Sequence, residues 1–205
     1  MRAFDTCMNK MKKIVLATGN KGKIKEIIHA FSSYSVTLFP QYELGIKEIP
    51  ETGLSYADNA ILKARNAANL TGLPAIGDDS GLEVEALNGE PGIYSARYAG
   101  DFATTQANIN KLLLKMDGVI QRKARFICTI VYLSNSEDMI PIICKGLWEG
   151  SILLKPRGSY GFSYDPIFFV PTHQCSAAEL SLTEKNKISH RGKALSKLIE
   201  IFHQR

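Results

Sequence analysis

The chain has 205 residues, of which 45% are hydrophobic and 22% charged, so it is long enough for one domain with an ordinary buried core and too apolar for long disorder. Lysine and arginine outnumber acidic residues by 25 to 20, and the net charge of +5 suits a polyanionic ligand such as a nucleotide or a nucleic acid. No charge run resembles a nucleic-acid-binding tail, no apolar run reaches membrane-spanning length and no segment resembles a signal peptide, so we expect a cytoplasmic protein that binds neither nucleic acid nor membrane.

The cysteine pattern argues against a zinc site. Cys7, Cys128, Cys144 and Cys175 are far apart and form no C-x-x-C pair, which is typical of a reduced protein. Cys128 and Cys144 lie in apolar, β-prone runs and are expected to be buried thiols.

The first regular elements surround a loop that contains glycine and lysine. The apolar run 13–18 predicts a buried strand, and helical spacing of apolar residues over 24–31 predicts a helix. A strand–loop–helix unit presents backbone N–H groups and the positive helix end to an anion, commonly a phosphate. Positive charge and short polar groups are added there by Lys21, Lys23, Thr18 and Asn20. The spacing does not match the Walker pattern, so a plain turn with solvated lysines stays an equal alternative.

A second helix is predicted after a strand and a loop. Residues 36–39 predict a strand, and residues 44–54 predict a loop. Ser55 is a candidate N-cap, and an alanine-rich stripe on the following helix would let another element approach closely. Lys63 and Arg65 lie off that stripe and are interpreted as solvated side chains.

Two adjacent carboxylates, Asp78 and Asp79, follow a short apolar run in the middle of the chain. Their segment, residues 74–84, predicts a strand, a tight turn and a second strand. Because neighbouring residues of a strand point to opposite faces, the two carboxylates should have different roles. One could hold a metal ion or activate water, and the other could accept hydrogen bonds from backbone N–H groups. A turn without any such role is the commoner explanation of Asp-Asp-Ser-Gly taken alone.

The second half of the chain predicts strands in succession. A helix is predicted over 104–116, and the β-prone runs 124–133 and 140–148 predict a hairpin. Trp148 is interpreted as a core residue. Arg97 could meet a phosphate or pair with a carboxylate.

Candidate binding groups recur near the C-terminus. In residues 161–166, aromatic side chains beside an aspartate could stack on a base and orient its polar edge, although rings packed in a turn are the commoner case. Residues 182–188 are charged and predict a loop. Ser189 is a candidate N-cap of the last helix, whose first turn would hold His190 and Arg191. Cations are disfavoured there unless a bound anion compensates them.

The order of these elements predicts the fold class. Three early strands alternate with helices and later strands follow one another, which indicates an α/β or α+β fold with a mixed sheet. The phosphate loop, the carboxylates with Glu51, the aromatic loop and the basic helix start together suit a nucleoside triphosphate bound with a divalent metal. Carboxylate oxygens favour Mg²⁺, which bridges substrate phosphates.

Six segments, in this order, resemble the inosine triphosphate pyrophosphatase family (XTP/dITP diphosphatases). They span the chain from about Lys12 to the C-terminus and comprise residues 16–23, 51–53, 78–82, 91–98, 161–168 and 188–192. The resemblance implies Mg²⁺-dependent hydrolysis of XTP, ITP and dITP to the monophosphate and pyrophosphate, which cleanses the nucleotide pool. It also implies an elongated mixed β-sheet flanked by helices, two lobes with the active site in the cleft between them, and a homodimer.

The same resemblance divides the chain into two parts. Residues 12–205 would form the single two-lobed domain. Residues 1–11 match nothing in the family and are interpreted as an N-terminal extension that could be disordered.

The resemblance also implies a role for each matching residue. Asp79 would be the general base and would bind the metal with Glu51, while Asp78 and Glu48 are further metal candidates. Ser80 would contact substrate. The triphosphate would be bound by Thr18, Gly19, Asn20, Lys21, Gly22 and Lys23. The base pocket would be lined by Phe162, Ser163, Tyr164 and Asp165. Phosphate or the keto group of the base would be contacted by Lys185, His190 and Arg191.

Ser163 departs from the family, because bacterial relatives have glycine at this position, so the base loop could be reshaped. Selectivity would come from donors aimed at a 6-keto oxygen, since an adenine amino group would leave them unpaired. Two other functions stay open. One is a different nucleotide-binding NTPase that releases orthophosphate, against which the absent Walker spacing argues. The other is a basic RNA-binding protein, supported by the pI near 9.0 and scattered aromatic residues.

Overall fold

The computed structural model describes residues 12–204, and within this range seven strands form one sheet. The strands are β1 (Lys12–Ala17), β2 (Val36–Pro40), β3 (Ala75–Val84), β4 (Lys123–Leu133), β5 (Ile142–Ile152), β6 (Phe168–Val170) and β7 (Cys175–Ser176). The helices are α1 (Lys21–Ala30), α2 (Tyr56–Thr71), α3 (Thr105–Lys115), α4 (Leu182–Ile188) and α5 (His190–His203). Short 3₁₀ turns connect several of them.

The sheet is mixed, with the strand order β2-β1-β3-β4-β5-β6-β7. β1 pairs in parallel with both β2 and β3, because helices α1 and α2 connect these strands. From β3 onward all neighbours are antiparallel, and β4 and β5 form the predicted hairpin. The predicted fold class, a mixed β-sheet flanked by helices, is confirmed.

Helices cover both faces of the sheet at its parallel end. On one face, α1 and α5 pack on β1, β3 and β4 through residues such as Ile27 and Leu198, both fully buried. On the other face lies the alanine stripe of α2, with Ala60 and Ala64 fully buried. The backbones approach so closely that a Cβ atom on Gly77 would lie 2.1 Å from the carbonyl oxygen of Ala60. The small residues of α2 therefore place this helix directly over β3.

A third core cluster lies around the far ends of β3, β4 and β5. There Trp148 stacks near Phe126, with ring centroids 6.2 Å apart, and Phe168 and Leu112 of α3 complete the cluster. The interpretation of Trp148 as a core residue is confirmed. Cys128 and Cys144 are buried free thiols, also as predicted.

The predicted tight turn after Asp79 is wrong. β3 continues without a break from Ala75 to Val84, and each of its ten residues pairs with β4. Burial explains the failure, because Ser-Gly here is not at the surface: a Cβ on Gly81 would lie 2.2 Å from the carbonyl oxygen of Gly92. The glycine serves a close backbone approach rather than a turn.

The predicted loop over 182–188 is also wrong, since this segment is helix α4. The hydroxyl of Ser181 caps it by accepting a hydrogen bond from the Glu184 N–H at 3.2 Å. Helix α5 then begins after the predicted cap Ser189, whose side chain accepts from the Gly192 N–H. The two helices thus follow one another with a single residue between them.

The prediction of an N-terminal extension over residues 1–11 lies outside the described residues. The two-lobed domain over residues 12–205 stays a prediction. Among residues 12–204, no helix has the length and apolar character needed to cross a bilayer.

Candidate active site

The two adjacent carboxylates of β3 point to opposite faces of the sheet, as the sequence predicts. Asp79 lies on the face covered by α2, and Asp78 lies on the face covered by α1 and α5. Both are buried, with 4% and 0% of their surface exposed. Because β3 is continuous at this point, the backbone fixes the two directions rigidly.

Asp79 is held by two residues of α2. Its Oδ1 lies 3.0 Å from Lys63 Nζ, and its Oδ2 accepts a hydrogen bond from the Asn59 amide at 3.3 Å. Lys63 Nζ also lies 2.7 Å from Glu51 Oε1, and Glu51 in turn pairs with Arg97 at 3.0 Å. The interpretation of Lys63 as a solvated side chain is wrong, because it lies between the two carboxylates proposed as metal ligands. Arg97 pairs with a carboxylate, one of the two roles considered for it.

The surroundings push the pKa values of these carboxyl groups in different directions. Burial raises the pKa of Asp79 above its usual value, and the nearby Glu51 raises it further, while Lys63 and Lys23 act in the opposite sense. Burial also acts to raise the pKa of Glu51, but Lys63 and Lys23 outweigh it and the pKa is lowered. A carboxylate with a raised pKa is the better proton acceptor of the two.

Asp78 lies in a buried network of alternating charge. Its Oδ2 accepts a hydrogen bond from Arg191 Nε at 2.7 Å, and its Oδ1 lies 2.6 Å from Lys23 Nζ. Glu26 of α1 contacts the Arg191 guanidinium and lies 2.8 Å from Lys185 Nζ. Lys185 also pairs with Asp165, which follows the aromatic loop. These ion pairs connect α1, β3, α4, α5 and the 161–166 segment.

The pKa of Asp78 is held well below its usual value: burial acts to raise it, but Arg191 and Lys23 together outweigh that effect. Asp78 is therefore an anion paired with Arg191 and Lys23, and its role as a further metal candidate stays a prediction. Glu48, the other further candidate, is exposed and its Oε1 accepts a hydrogen bond from the Gly19 N–H at 3.1 Å.

The cation Arg191 in the first turn of α5 has carboxylate partners within the protein, and a bound anion at this turn stays a prediction. Arg191 is compensated by the protein's own carboxylates, Asp78 and Glu26. His190 is buried and its ring stacks on Phe126, with centroids 4.7 Å apart. Burial, with the neighbouring cation Arg191, lowers the pKa of His190 well below its usual value, so it carries no charge at neutral pH.

In the predicted phosphate loop, several backbone N–H groups donate hydrogen bonds to side chains of the same loop. Asn20 caps α1, and its Oδ1 accepts hydrogen bonds from the N–H groups of Gly22 at 2.9 Å and Lys23 at 3.1 Å. Thr18 Oγ1 accepts from the Asn20 N–H at 3.2 Å. Several backbone donors expected to face a phosphate therefore have acceptors within the protein. The cation of this loop that lines the cavity is Lys23.

A cavity of about 80 Å³ lies where these elements meet. The structure brings twelve predicted site residues to its wall, namely Asn20, Lys23, Glu51, Asp79, Ser80, Phe162, Ser163, Tyr164, Asp165, Lys185, His190 and Arg191. Thr18, Gly19, Lys21 and Gly22 do not line it. The carboxylates, the basic helix start and the aromatic loop therefore form one site, while four of the six residues of the phosphate loop lie beyond its wall.

Sequence reasoning missed three residues that shape this site: Lys63, Asn59 and Glu26. Asn59 and Lys63 lie four residues apart, which places both on one side of α2, and that spacing was the available signal. Glu26 lies beside the apolar residues of α1 that face the core and is itself buried. A buried glutamate is normally paired with a cation, so an acidic residue next to this apolar face was the available signal.

Comparisons with known proteins show the family of this chain. A family model described as the Ham1 family matches residues 14–201. The chain belongs to the Ham1 family. It is 53% identical over 196 residues to a dITP/XTP pyrophosphatase of Vibrio cholerae, covering 95% of this chain and 98% of that protein. It is also 53% identical over 192 residues to the dITP/XTP pyrophosphatase of Escherichia coli strain K12, covering 93% and 98%.

Solved structures of Ham1 proteins share the fold. A HAM1 protein from Coxiella burnetii superposes with a TM-score of 0.87 at 47% identity and covers 95% of this chain and 100% of its own. The Ham1 protein of Staphylococcus aureus gives a TM-score of 0.82 at 42% identity, covering 94% and 99%. The resemblance drawn from the six segments is thus confirmed, and this Ham1-family chain is a hydrolase of the pyrophosphatase class.

Pyrophosphatases of the Ham1 family generally use a divalent metal ion. Among the described residues, no group of three or more His, Cys, Asp or Glu side chains could hold a metal by itself. Glu51 and Asp79 nevertheless fit a shared cation, because both already contact the Lys63 ammonium between them. Two carboxylates suit an ion that takes its remaining oxygens from water and substrate phosphates.

Proposed function

We propose that the protein hydrolyses nonstandard purine nucleoside triphosphates, namely XTP, ITP and dITP, to the monophosphate and pyrophosphate with Mg²⁺ as the metal. The observation that carries the proposal is Asp79, a carboxylate with a raised pKa in the cavity wall, held by Lys63 beside Glu51. The names of the relatives supply the substrate class. The family resemblance further implies a cytoplasmic homodimer that removes these nucleotides from the pool.

In the proposed reaction, water attacks the α-phosphorus and the bond to the β-phosphate oxygen breaks. Asp79 accepts a proton from the attacking water, and pyrophosphate leaves with the electron pair of the broken bond. Lys63 and Asn59 hold the carboxylate in a fixed orientation, so little reorganisation accompanies the step. Glu51 and Asp79 would hold Mg²⁺, which neutralises phosphate charge when it is bound.

Charge on the triphosphate would be balanced by cations at the cavity wall. Lys23, Lys185 and Arg191 all line the cavity. Each is already paired with a buried carboxylate, which fixes its position before substrate arrives. A preorganised cation stabilises developing charge in the transition state at less cost than a solvated one.

Selectivity for keto purines would arise from the groups around the aromatic loop. Tyr164 and Asp165 fix this loop, because the Tyr164 hydroxyl donates to the Ser95 carbonyl and Asp165 accepts from the Phe162 N–H. Whichever of Lys185 and Arg191 is not engaged by phosphate would donate to a 6-keto oxygen but not to a 6-amino group. An adenine base would leave those donors unpaired, which can cost a large factor in rate.

A turnover assay on dITP, XTP, dATP and dGTP with Mg²⁺ tests this function, with pyrophosphate and orthophosphate detected separately. We expect pyrophosphate from dITP and XTP and little from dATP. Orthophosphate release would instead indicate another nucleotide-binding NTPase. Salt-sensitive RNA binding without turnover would indicate the basic RNA-binding alternative. Omitting Mg²⁺ and adding a chelator should abolish pyrophosphate release, and sedimentation of the active protein tests the dimer.

A further inference from the structure

The aromatic loop holds a serine in a backbone conformation that serine rarely adopts. Ser163 has a φ of 57°, in the left-handed region, and Gly161 two residues before it has a φ of 76°. A left-handed conformation has no steric cost for glycine, but in a residue with a Cβ atom it brings that atom too close to the following carbonyl oxygen. Phe162 therefore lies between two left-handed residues, one of which is strained.

The Phe162 ring closes the candidate active site. It packs on the first turn of α1 so tightly that a Cβ atom on Gly22 would lie 2.4 Å from the ring. Its face covers two cations, with Lys185 Nζ 4.7 Å and Arg191 Cζ 5.6 Å from the ring centroid. The remaining cavity of about 80 Å³ is several times smaller than the roughly 300–1,000 Å³ of ordinary ligand pockets. A purine triphosphate is larger than this space, so the cavity wall must move to admit it, and the Phe162 ring is part of that wall.

The structure limits the movement to a short hinge. Asp165, just after the hinge, is buried and anchored by Lys185, and Tyr164 is buried with its hydroxyl bonded to the Ser95 carbonyl. Gly161 is exposed, the Phe162 N–H donates to Asp165 Oδ2 at 2.7 Å, and the Phe162 carbonyl oxygen accepts from the Asp165 N–H at 3.2 Å. Rotation at residues 161–163 that lifts the ring therefore breaks these two hydrogen bonds but leaves the Asp165–Lys185 and Tyr164–Ser95 contacts in place.

We propose that Ser163 is a positioning residue that sets substrate affinity through Phe162. The closed loop keeps Ser163 in its left-handed conformation, and the loop that admits substrate releases it. Strain at Ser163 thus raises the free energy of the closed loop, so the loop opens more easily with serine at position 163 than it would with glycine. This inference rests on the proposed function, because the measured affinity is that of the proposed substrate.

A series of substitutions at one position tests the proposal. Glycine adopts the left-handed conformation most readily, asparagine less so, and serine and alanine least. If substrate must open the loop, the KM for dITP should rise in the order Ala, Ser, Asn, Gly. We expect Ser163→Gly to raise KM by roughly fivefold, in line with the cost of a left-handed residue, and to change kcat by less than about twofold.

Two controls separate this role from a general effect on stability. Phe102 is also left-handed, with a φ of 62°, and is fully exposed away from the cavity wall. Phe102→Gly should relieve the same kind of backbone strain without changing the KM for dITP. In a Phe162→Ala background, the dependence of KM on the residue at 163 should disappear, because the ring through which Ser163 acts is gone.

A second measurement does not depend on turnover. Hydrogen exchange of the Phe162 amide in the ligand-free protein should slow by roughly fivefold in Ser163→Gly, because the closed loop protects this N–H. Failure of the parent protein to release pyrophosphate would overturn the proposed function alone, and the exchange series would still test the hinge. Equal KM and equal exchange across the series would overturn the present inference. So would a difference between serine and all three replacements, because that pattern indicates a hydroxyl contact with substrate.

Discussion

Two neighbouring aspartates of one strand, Asp78 and Asp79, have pKa values shifted in opposite directions because their side chains lie on opposite faces of the sheet. Asp78 is fully buried among cations and has a strongly lowered pKa, whereas burial beside Glu51 raises the pKa of Asp79. Opposite shifts of neighbouring carboxyl groups commonly separate a structural anion from a proton acceptor. The alternation of a strand predicts the two directions from sequence. The partners of Asp79 come from α2, which directly precedes β3, whereas those of Asp78 come from α1 and α5, 55 and 113 residues away along the chain.

At this scale, Asp79→Asn tests the assignment of the general base. The substitution keeps the shape of the side chain and its contact with Asn59, but the amide cannot accept the proton of water. We expect nucleotide binding to persist and turnover to fall by about a hundredfold or more, measured by pyrophosphate release and by calorimetric titration. Near-normal turnover of purified Asp79→Asn would refute the assignment.

Lys63 gives a second test, through the pH dependence of kcat/KM. Activity should rise with pH as Asp79 loses its proton. Lys63 acts to lower the pKa of Asp79, so Lys63→Met should move this acid limb to higher pH.

Arg65→Met is the matched control for Lys63, since it removes a cation from the same helix. Arg65 contacts the carbonyl oxygens of Ser136 and Asp138 in the hairpin loop rather than a site carboxylate. Its pH profile should match that of the parent protein. An unmoved acid limb in Lys63→Met would show that Lys63 does not control the protonation of Asp79.

At the scale of elements, sheet glycines determine where the site helices lie. A Cβ atom on Gly146 of β5 would lie 2.0 Å from the carbonyl oxygen of His190, at the start of α5. Gly77 of β3 stands in the same relation to α2, which carries Lys63. The sequence shows these glycines in β-prone runs without indicating which helix crosses them. Their positions can be understood only once the sheet order is known.

Gly146→Ala should therefore disturb both stability and substrate binding. Overpacking should lower the free energy of unfolding by about 1–3 kcal/mol, as measured by urea denaturation. Because the added methyl group pushes on the turn that carries His190 and Arg191, KM should also rise. Lys145→Ala, at an exposed position of the same strand, should change neither quantity. Equal effects of the two substitutions would contradict a specific contact with α5.

Helix α4 is a short element whose sequence signals are mixed, and the sequence alone predicts it wrongly. Helix α4 has seven residues, too few for a clear apolar period, and its charged composition favours a loop. In the fold, Lys185 of this helix is 3% exposed and pairs with Glu26 and Asp165, so tertiary contacts stabilise what local propensity does not. Longer segments such as α2 and α5 were predicted with their caps, because Ser55 and Ser189 precede strongly periodic runs.

For the whole molecule, the order of elements in the sequence was enough to predict a mixed sheet, and the six segments were enough to bring most site residues together. Two groups that the sequence presents as unpartnered helix termini have partners in the fold. Asn20 caps α1, and Asp78 with Glu26 neutralises Arg191, while phosphate binding at both places stays a prediction. Long-range ion pairs between distant segments leave no local pattern in a sequence.

The same ion pairs should govern how the folded protein responds to acid. The pKa of Asp78 is lowered well below its usual value, and that of Glu26 is also lowered because Arg191 and Lys185 outweigh the effect of burial. Groups with a lowered folded pKa stabilise the protein above their unfolded pKa, about 4, and this contribution is lost as the pH falls further. Asp165 acts in the opposite sense, because burial raises its pKa, and so offsets part of the loss.

We therefore expect Asp78→Asn to lower the free energy of unfolding at pH 7 by about 3–5 kcal/mol, the usual cost of leaving a buried partner charge uncompensated. A domain with about 5–15 kcal/mol of stability remains folded after such a loss. Between pH 5 and pH 3 the free energy of unfolding of the variant should fall less than that of the parent protein. The reason is that Asp78, the group responsible for much of this pH dependence, is absent. Glu137→Gln, at an exposed position, controls for the change in net charge and should preserve the parent's slope. Urea denaturation at each pH measures all three proteins, and equal acid slopes for Asp78→Asn and the parent would show that the Asp78–Arg191–Lys23 cluster does not link folding to pH.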